Sequence, residues 1–533
     1  MNSIHAVEIV FLLLLFFVVL FGIFARRLSV PYPIVMVLGG LALSFLPGIR
    51  GFELNPDMVF LIFLPPLLYS SAWTTSWRDF KGNLPSILLL AFGLVGFTVL
   101  GVALIAPLVF PGFDWRLGML LGAVVAPTDA IAATAIARRI GLPERIVDIL
   151  EGESLVNDAT GLLAIEFARE ILVNDHVPTV TEGLLKFFWL TLGGLLTGLA
   201  LGWIIEQIQR HVEDSAIEIT FSILSPFVIY LAAEQIRASG VIAVVTAGLY
   251  LSVRSTYFFS PATRIKIWSV WESLTFILNG VVFVLIGLQF PTLRASIHDY
   301  GLTRVVLDGV IFSILLIALR LIWVFPGSQL VYWFHTHILK HRYRHAPASH
   351  IFVIGWTGMR GVLSLAGALA LPSVIQNGSS FPHRDAIVLL TYCVILVTLV
   401  VQGLTLPSLI RWLGLAAGEG PNCEEIDARR IIAEAAVQHL TDARAQDELR
   451  AADLYDDLIH HYRSQLVSLD DANHEVAQKH NHFTELSLES LRIERETAIR
   501  LRNEGRINDI VLRKIVRQLD LNESRLDAEN HTD

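Results

Sequence analysis

The feature that most limits what this chain can fold into is a succession of long apolar runs across its first 411 positions, separated by short polar loops. A helix that crosses a bilayer needs about 20 mostly apolar residues. Thirteen runs qualify, at roughly 6–25, 31–47, 57–73, 84–109, 116–137, 147–172, 184–207, 216–236, 239–253, 268–289, 302–325, 349–371 and 385–411, the ninth being the shortest. The expected fold is an all-α polytopic membrane protein with about 13 transmembrane helices. The first run, Val7 to Phe24, has no basic stretch before it and no small-residue cleavage site after it. It reads as a retained helix, not a signal peptide.

The chain is 54% hydrophobic and 17% charged, against about 25% charged for a soluble domain. The deficit is confined to one part, so two domains are expected: a membrane domain over 1–415 and a charged, helical cytoplasmic tail over 416–533. Much of the net charge of −9 lies in the tail, and no broad basic face for nucleic acid is present. Cys393 lies in an apolar run and Cys423 begins the tail, which argues against a disulfide framework or a metal knuckle. No Gly-rich phosphate loop or zinc motif occurs, so neither a cofactor, ATP drive nor an enzyme is expected.

Basic residues in short loops set orientation. Arg26–Arg27 follow run 1, Arg78 and Lys81 run 3, Arg138, Arg139 and Arg145 run 5, and Arg210 run 7. Arg254, Arg264 and Lys266 follow run 9, and Lys340, Arg342 and Arg344 follow run 11. These are alternate loops and fall on one side; Arg50, Arg116, Arg237, Arg294 and Arg384 are exceptions on the other. An odd count with this bias puts the N-terminus outside and the tail in the cytoplasm.

A charge inside the bilayer is costly, so one that is present is functional or paired. Five stand out: Asp129, Glu153, Asp158, Arg320 and Arg360. Asp129 follows Pro127-Thr128 in run 5, where proline breaks the helix and freed carbonyls need protein or water. Thr128 can then offer a carbonyl or hydroxyl to a cation and Asp129 a carboxylate; a proline kink capped by Asp129 is the alternative. In run 6, helical spacing puts Glu153 with Asn157 and Ser154 with Asp158. Glu153 alone could sit in the headgroup zone, but apolar sequence follows Asp158 as far as Ile165. Glu153 is the candidate partner of Arg320, leaving Asp158 to bind and release protons. Arg360 lies in a glycine-rich stretch of run 12, where it either supports an irregular segment or snorkels. Runs 5 and 12 are the two interrupted ones. Breaks at matching positions point to inverted repeats with a substrate site between them.

These motifs carry a family resemblance. Leu64-Pro-Pro66, Ala126-Pro-Thr-Asp129, Glu153-Ser-Leu-Val-Asn-Asp158, Ser239-Gly-Val-Ile-Ala243, Ile286-Gly-Leu-Gln289 and Met359-Arg-Gly361 resemble the monovalent cation–proton antiporter superfamily, in its sodium/proton exchanger branch, over about residues 7–411. The resemblance implies thirteen helices, a homodimer with dimerisation and core domains, and elevator-type transport in the bacterial inner membrane. Helices 5 and 12 would unwind and cross near the ion. Asp158 would bind Na+, with Asp129, Thr128 and Ser154 completing the site, and Glu153–Arg320 would be a structural pair. Asn157 would mark electroneutral exchange. Many relatives carry an acid after Leu-Pro-Pro where this chain has Ser70 and Ser71, which leaves Na+, Li+ and K+ open.

The expected chemistry is competition: Asp158 and Asp129 hold one cation or protons in a shared cavity and titrate as a unit. A K+/H+ antiporter on the same fold, a cation channel and a membrane sensor are the other readings. In the tail, 424–468 and 480–518 show helical spacing, with Ile431, Ala435, Val437 and Leu440 on apolar positions. His335, His337, His341, His345 and His350 crowd one loop, either as pH sensors or as part of a basic surface.

Overall fold

The computed structural model describes residues 3–45, 56–174, 179–295, 302–338, 346–372, 381–416, 423–446, 452–468, 474–504, 506 and 509–530. Among them the chain is helical and contains no strand. It divides into two compact units, Met1–Ala417 and Gly418–Asp533.

In the first unit the helices are α1 (Ser3–Leu28), α2 (Tyr32–Leu43), α3 (Val59–Thr74) and α4 (Trp77–Val109). A split helix follows, α5a (Trp115–Val125) and α5b (Ile131–Ile140), then α6 (Glu144–Asn174), α7 (Val180–Gln209) and α8 (Ser215–Gln235). Next come α9 (Gly240–Phe258), α10 (Pro261–Leu288) and α11 (Leu302–His337). A second split helix, α12a (Ala348–Trp356) and α12b (Val362–Leu369), precedes α13 (Arg384–Trp412).

Seven helices among the described residues are long and apolar enough to cross a membrane. This is fewer than the thirteen expected runs, and for four of the other six the reason is visible. Helices α5 and α12 are each split, α2 is 12 residues long, and α6 carries Glu151, Glu153 and Asp158 along its length. One expected boundary moves: the run ending near residue 325 continues through Pro326 to His337. His335 and His337 therefore end α11, and His350 lies in α12a. His341 and His345, with Lys340, Arg342, Arg344 and Arg50, fall outside the described residues.

Local chemistry sets the helix ends. Asp114 accepts from Leu117 N at 2.8 Å to start α5a, and Asp214 accepts from Ala216 N at 2.8 Å to start α8, each satisfying an amide that the helix leaves open. Gly141 ends α5b with φ 69°, a left-handed position that glycine adopts without strain.

The helices approach closely where residues are small, as membrane helices do. Helix α7 lies on α9, and a Cβ on Gly194 would come within 2.7 Å of the Ser239 carbonyl. The opposite face of α7 presents Leu185, Trp189, Leu192 and Leu196 outward. Polar residues go the other way: Glu153, Asn157, Arg320, Arg360 and Gln402 are all buried. An apolar exterior around a polar interior is the distribution that suits lipid as solvent.

The second unit consists of α14 (Cys423–Gln446), α15 (Ala452–Ser468), α16 (His474–Asn503) and α17 (Asp509–Asn530). Arg444 pairs with Asp456 at 2.9 Å between α14 and α15, and Arg495 with Asp520 at 2.8 Å between α16 and α17. Leu491 and Leu519 form a small buried cluster beside the latter pair.

Candidate cation site

The site grows from the two interruptions. Helix α5 stops at Val125 and resumes at Ile131, with Pro127 between. Helix α12 stops at Trp356 and resumes at Val362, across Thr357-Gly-Met-Arg-Gly361. The two gaps meet. Asp129 N donates to Met359 O at 2.7 Å, and Arg360 Nε donates to Val125 O at 3.1 Å. Backbone groups freed by one break are thus satisfied by the other, as burial in an apolar medium requires. Gly361 is needed at this junction because a Cβ there would overlap the Asp129 carboxylate.

Charge is matched to the broken helix ends. Asp129 Oδ1 accepts from Ile131 N at 2.8 Å, which puts a carboxylate at the N-terminus of α5b. Arg360 bonds the carbonyl of Val125, at the C-terminal end of α5a, and that of Gly358, two residues beyond the end of α12a. Anions at helix N-termini and cations at C-termini are the stabilising arrangement. Arg360 is 2% exposed, so it does not snorkel to the interface. Its backbone N also donates to Thr398 Oγ1 at 3.2 Å.

Helix α6 supplies the second layer. Ser154 Oγ donates to Thr128 O at 3.0 Å and accepts from Ala130 N at 3.3 Å, which clamps the unwound segment from both sides. Glu153 and Arg320 form a two-pronged pair, Nη1 to Oε1 at 2.5 Å and Nη2 to Oε2 at 2.8 Å, each side chain 1% exposed. Arg320 also donates to Ile354 O from Nε at 3.2 Å and from Nη2 at 3.0 Å. Thr128 Oγ1 donates to Glu153 Oε1 at 3.1 Å and accepts from Asn157 Nδ2 at 2.8 Å. The hydroxyl of Thr128, offered above as a possible cation ligand, is therefore committed to a chain running Asn157–Thr128–Glu153–Arg320.

Beside this framework lies a cavity of about 140 Å³, room for a cation with some of its water. Asp129, Asp158, Ser154 and Thr128 line it, with Ser71 and Thr74 of α3. Asn157 and Ser70 are not among the lining residues. Asp158 feels the charge of Asp129, and it makes no hydrogen bond or ion pair among the described residues. Glu151, also on the wall, is held by Arg138 at 2.6 Å. Of the three carboxylates on the wall, Asp129 and Asp158 are therefore the two that no basic side chain holds among the described residues.

Sequence reasoning missed Asn279 of α10, which is 6% exposed and lines the same cavity. The available signal was a single amide inside the apolar run Phe276–Leu285, weaker than a charge because an amide is cheaper to bury.

Comparison with known proteins follows the same residues. The model of the transmembrane sodium/hydrogen exchanger family matches residues 12–412. An uncharacterized Na(+)/H(+) exchanger of Mycobacterium tuberculosis is 32% identical over 521 residues, covering 96% of this chain and 94% of its own. A sodium, potassium, lithium and rubidium/H(+) antiporter of Bacillus subtilis is 34% identical over 391 residues, 71% of this chain and 58% of its own. Among solved structures, the sodium proton antiporter MjNhaP1 of Methanocaldococcus jannaschii superposes with a TM-score of 0.59 at 19% identity, over 78% of this chain and 100% of that one. The expected resemblance and the measured one coincide, and this chain belongs to the transmembrane sodium/hydrogen exchanger family.

Proposed function

We propose that the protein is a secondary antiporter that exchanges one monovalent cation, sodium, for one proton across the bacterial inner membrane. The observation that carries this reading is the pairing of Asp129 and Asp158 on one small cavity while the neighbouring buried charges are already committed: Glu153 to Arg320 and Arg360 to backbone carbonyls.

In this reading the cation and protons compete for the two carboxylates. One cation or one proton lowers the charge of the carboxylate pair by the same single unit, and the site so loaded moves across the membrane. The empty, doubly ionised site does not, because the additional uncompensated charge costs about 3 kcal/mol or more in the bilayer. Exchange follows from that difference. Ser154 holds the unwound segment, and Glu153–Arg320 keeps α6 and α11 in register.

The finer points form one consistent proposal. Thirteen crossings, with α5 and α12 crossing at their breaks as parts of two inverted repeats, put the N-terminus outside and the tail over 416–533 in the cytoplasm. The core around α5, α6 and α12 moves as an elevator within a homodimer. Asn157, neutral beside Asp158, keeps the exchange electroneutral. The physiological role is pH and sodium homeostasis.

A second reading, potassium/proton exchange, has one specific support. The cavity wall has Ser71 where an acid would favour a small, strongly held ion, and the Bacillus relative is named for several alkali cations.

The test is dye-reported proton flux in proteoliposomes holding the full chain, with sodium, lithium or potassium added in turn at neutral to alkaline pH. Collapse of an imposed pH gradient by one cation, abolished in Asp158→Asn, is the expected result and names the ion. No response to any of the three from folded, inserted protein overturns the reading. Cation conduction without proton movement would make it a channel instead.

A further inference from the structure

We propose that Asn279 is a cation ligand supplied to the cavity by α10, its side-chain carbonyl setting how tightly, and which, monovalent cation is held. This assignment rests on the exchange reading above and adds a residue that lies on neither broken helix nor on α6.

The geometry is specific. Asn279 sits on α10, is 6% exposed and lines the cavity shared by Asp129 and Asp158. Its amide is hydrogen-bonded to Tyr32 at the start of α2, and Tyr32 in turn feels the charge of Asp129. Among the described residues the Oδ1 of Asn279 has no hydrogen-bond partner. A buried acceptor left without a donor is destabilising, and more so within an apolar helix. Its retention on this wall is accounted for by a ligand that the protein itself does not supply.

The chemistry of the other lining residues shows what is lacking. Asp129 has one oxygen engaged by Ile131 N, the Thr128 hydroxyl is committed at both ends, and the Thr128 carbonyl accepts from Ser154. A hard cation that sheds water needs several oxygen ligands, and beyond the two carboxylates the rest of the lining offers mainly the hydroxyls of Ser71, Thr74 and Ser154. An amide carbonyl adds an oxygen without adding a charge. The number of carboxylates exchanging a cation for protons is therefore unchanged, and the ligand tunes affinity without altering stoichiometry.

The experiment compares wild type, Asn279→Ala, Asn279→Asp and Asp158→Asn as full chains in proteoliposomes, recording half-saturating sodium, lithium and potassium and maximal rate, with size-exclusion profiles to show folded protein. Asn279→Ala is expected to raise the half-saturating concentration of the preferred ion about tenfold and change the ratio between ions, with maximal rate within about twofold of wild type. Asn279→Asp, nearly isosteric, is expected to lower half-saturation. Unchanged half-saturation and ion ratios in both variants, with exchange present in wild type and lost in Asp158→Asn, overturn the ligand assignment alone. So does a fall in maximal rate with no change in half-saturation, which marks a packing role. Absence of exchange in wild type overturns the functional reading beneath it.

Discussion

The backbone N–H of Asp129 donates to the carbonyl of Met359 across 2.7 Å, joining two helix breaks that are more than two hundred residues apart in the chain. That bond holds the carboxylate of Asp129 over the cavity, and it forms only because Gly361 leaves room for the side chain. Gly361→Ala would push Asp129 away from its position. Loss of exchange by about a hundredfold is expected, the scale on which a displacement of about 1 Å acts in a positioned site. Proteoliposome flux checks it, and near-normal flux would show that the junction tolerates the methyl group.

Glu153→Gln removes one partner of a buried ion pair and leaves the Arg320 guanidinium uncompensated. The expected loss of stability is about 3–5 kcal/mol, read as a fall in thermal unfolding temperature in detergent. Combining it with Arg320→Met should restore part of that loss, because the isolated charge is removed. A double variant less stable than Glu153→Gln would contradict the pair's assignment as structural.

Thr128→Val keeps the side chain's shape and deletes its hydroxyl. Because the hydroxyl serves Glu153 and Asn157, the expected effect is a stability loss of about 1–3 kcal/mol with cation preference unchanged. A shift in ion selectivity without loss of stability would instead make the hydroxyl a cation ligand.

Electroneutral exchange predicts a rate that ignores membrane voltage. Imposing or collapsing a potassium-diffusion potential across proteoliposomes should leave sodium-driven proton flux unchanged. Acceleration by a voltage of one sign would mean unequal charge movement and would remove the significance given to Asn157.

The unit boundary between Ala417 and Gly418 makes the tail separable in principle. A chain ending at 417 is expected to insert and to retain exchange in proteoliposomes, since every cavity-lining residue lies in the first unit. Loss of exchange in a correctly inserted truncation would give the tail a direct part in transport.

The sequence by itself determined the membrane class, because apolar runs near bilayer length are a one-dimensional property that survives any arrangement in space. It also marked the charged residues around which the site is built, since Asp129, Glu153, Asp158, Arg320 and Arg360 stand out against apolar neighbours. Pro127 announced the first break through its missing donor. Tertiary structure decided the rest. Arg360 needed a partner, yet no local pattern could show that it would be the C-terminus of α5a, because its acceptor there, Val125, is a backbone carbonyl 235 positions away of a kind that every residue carries. Thr128 looked free to bind an ion until its hydroxyl was seen engaged by residues 25 and 29 positions away. Asn279 had no charge to draw attention, and only folding brings α10 against the cavity. Periodicity reports which way a residue faces, while the identity of what it faces depends on contacts between distant segments, which the order of residues does not display.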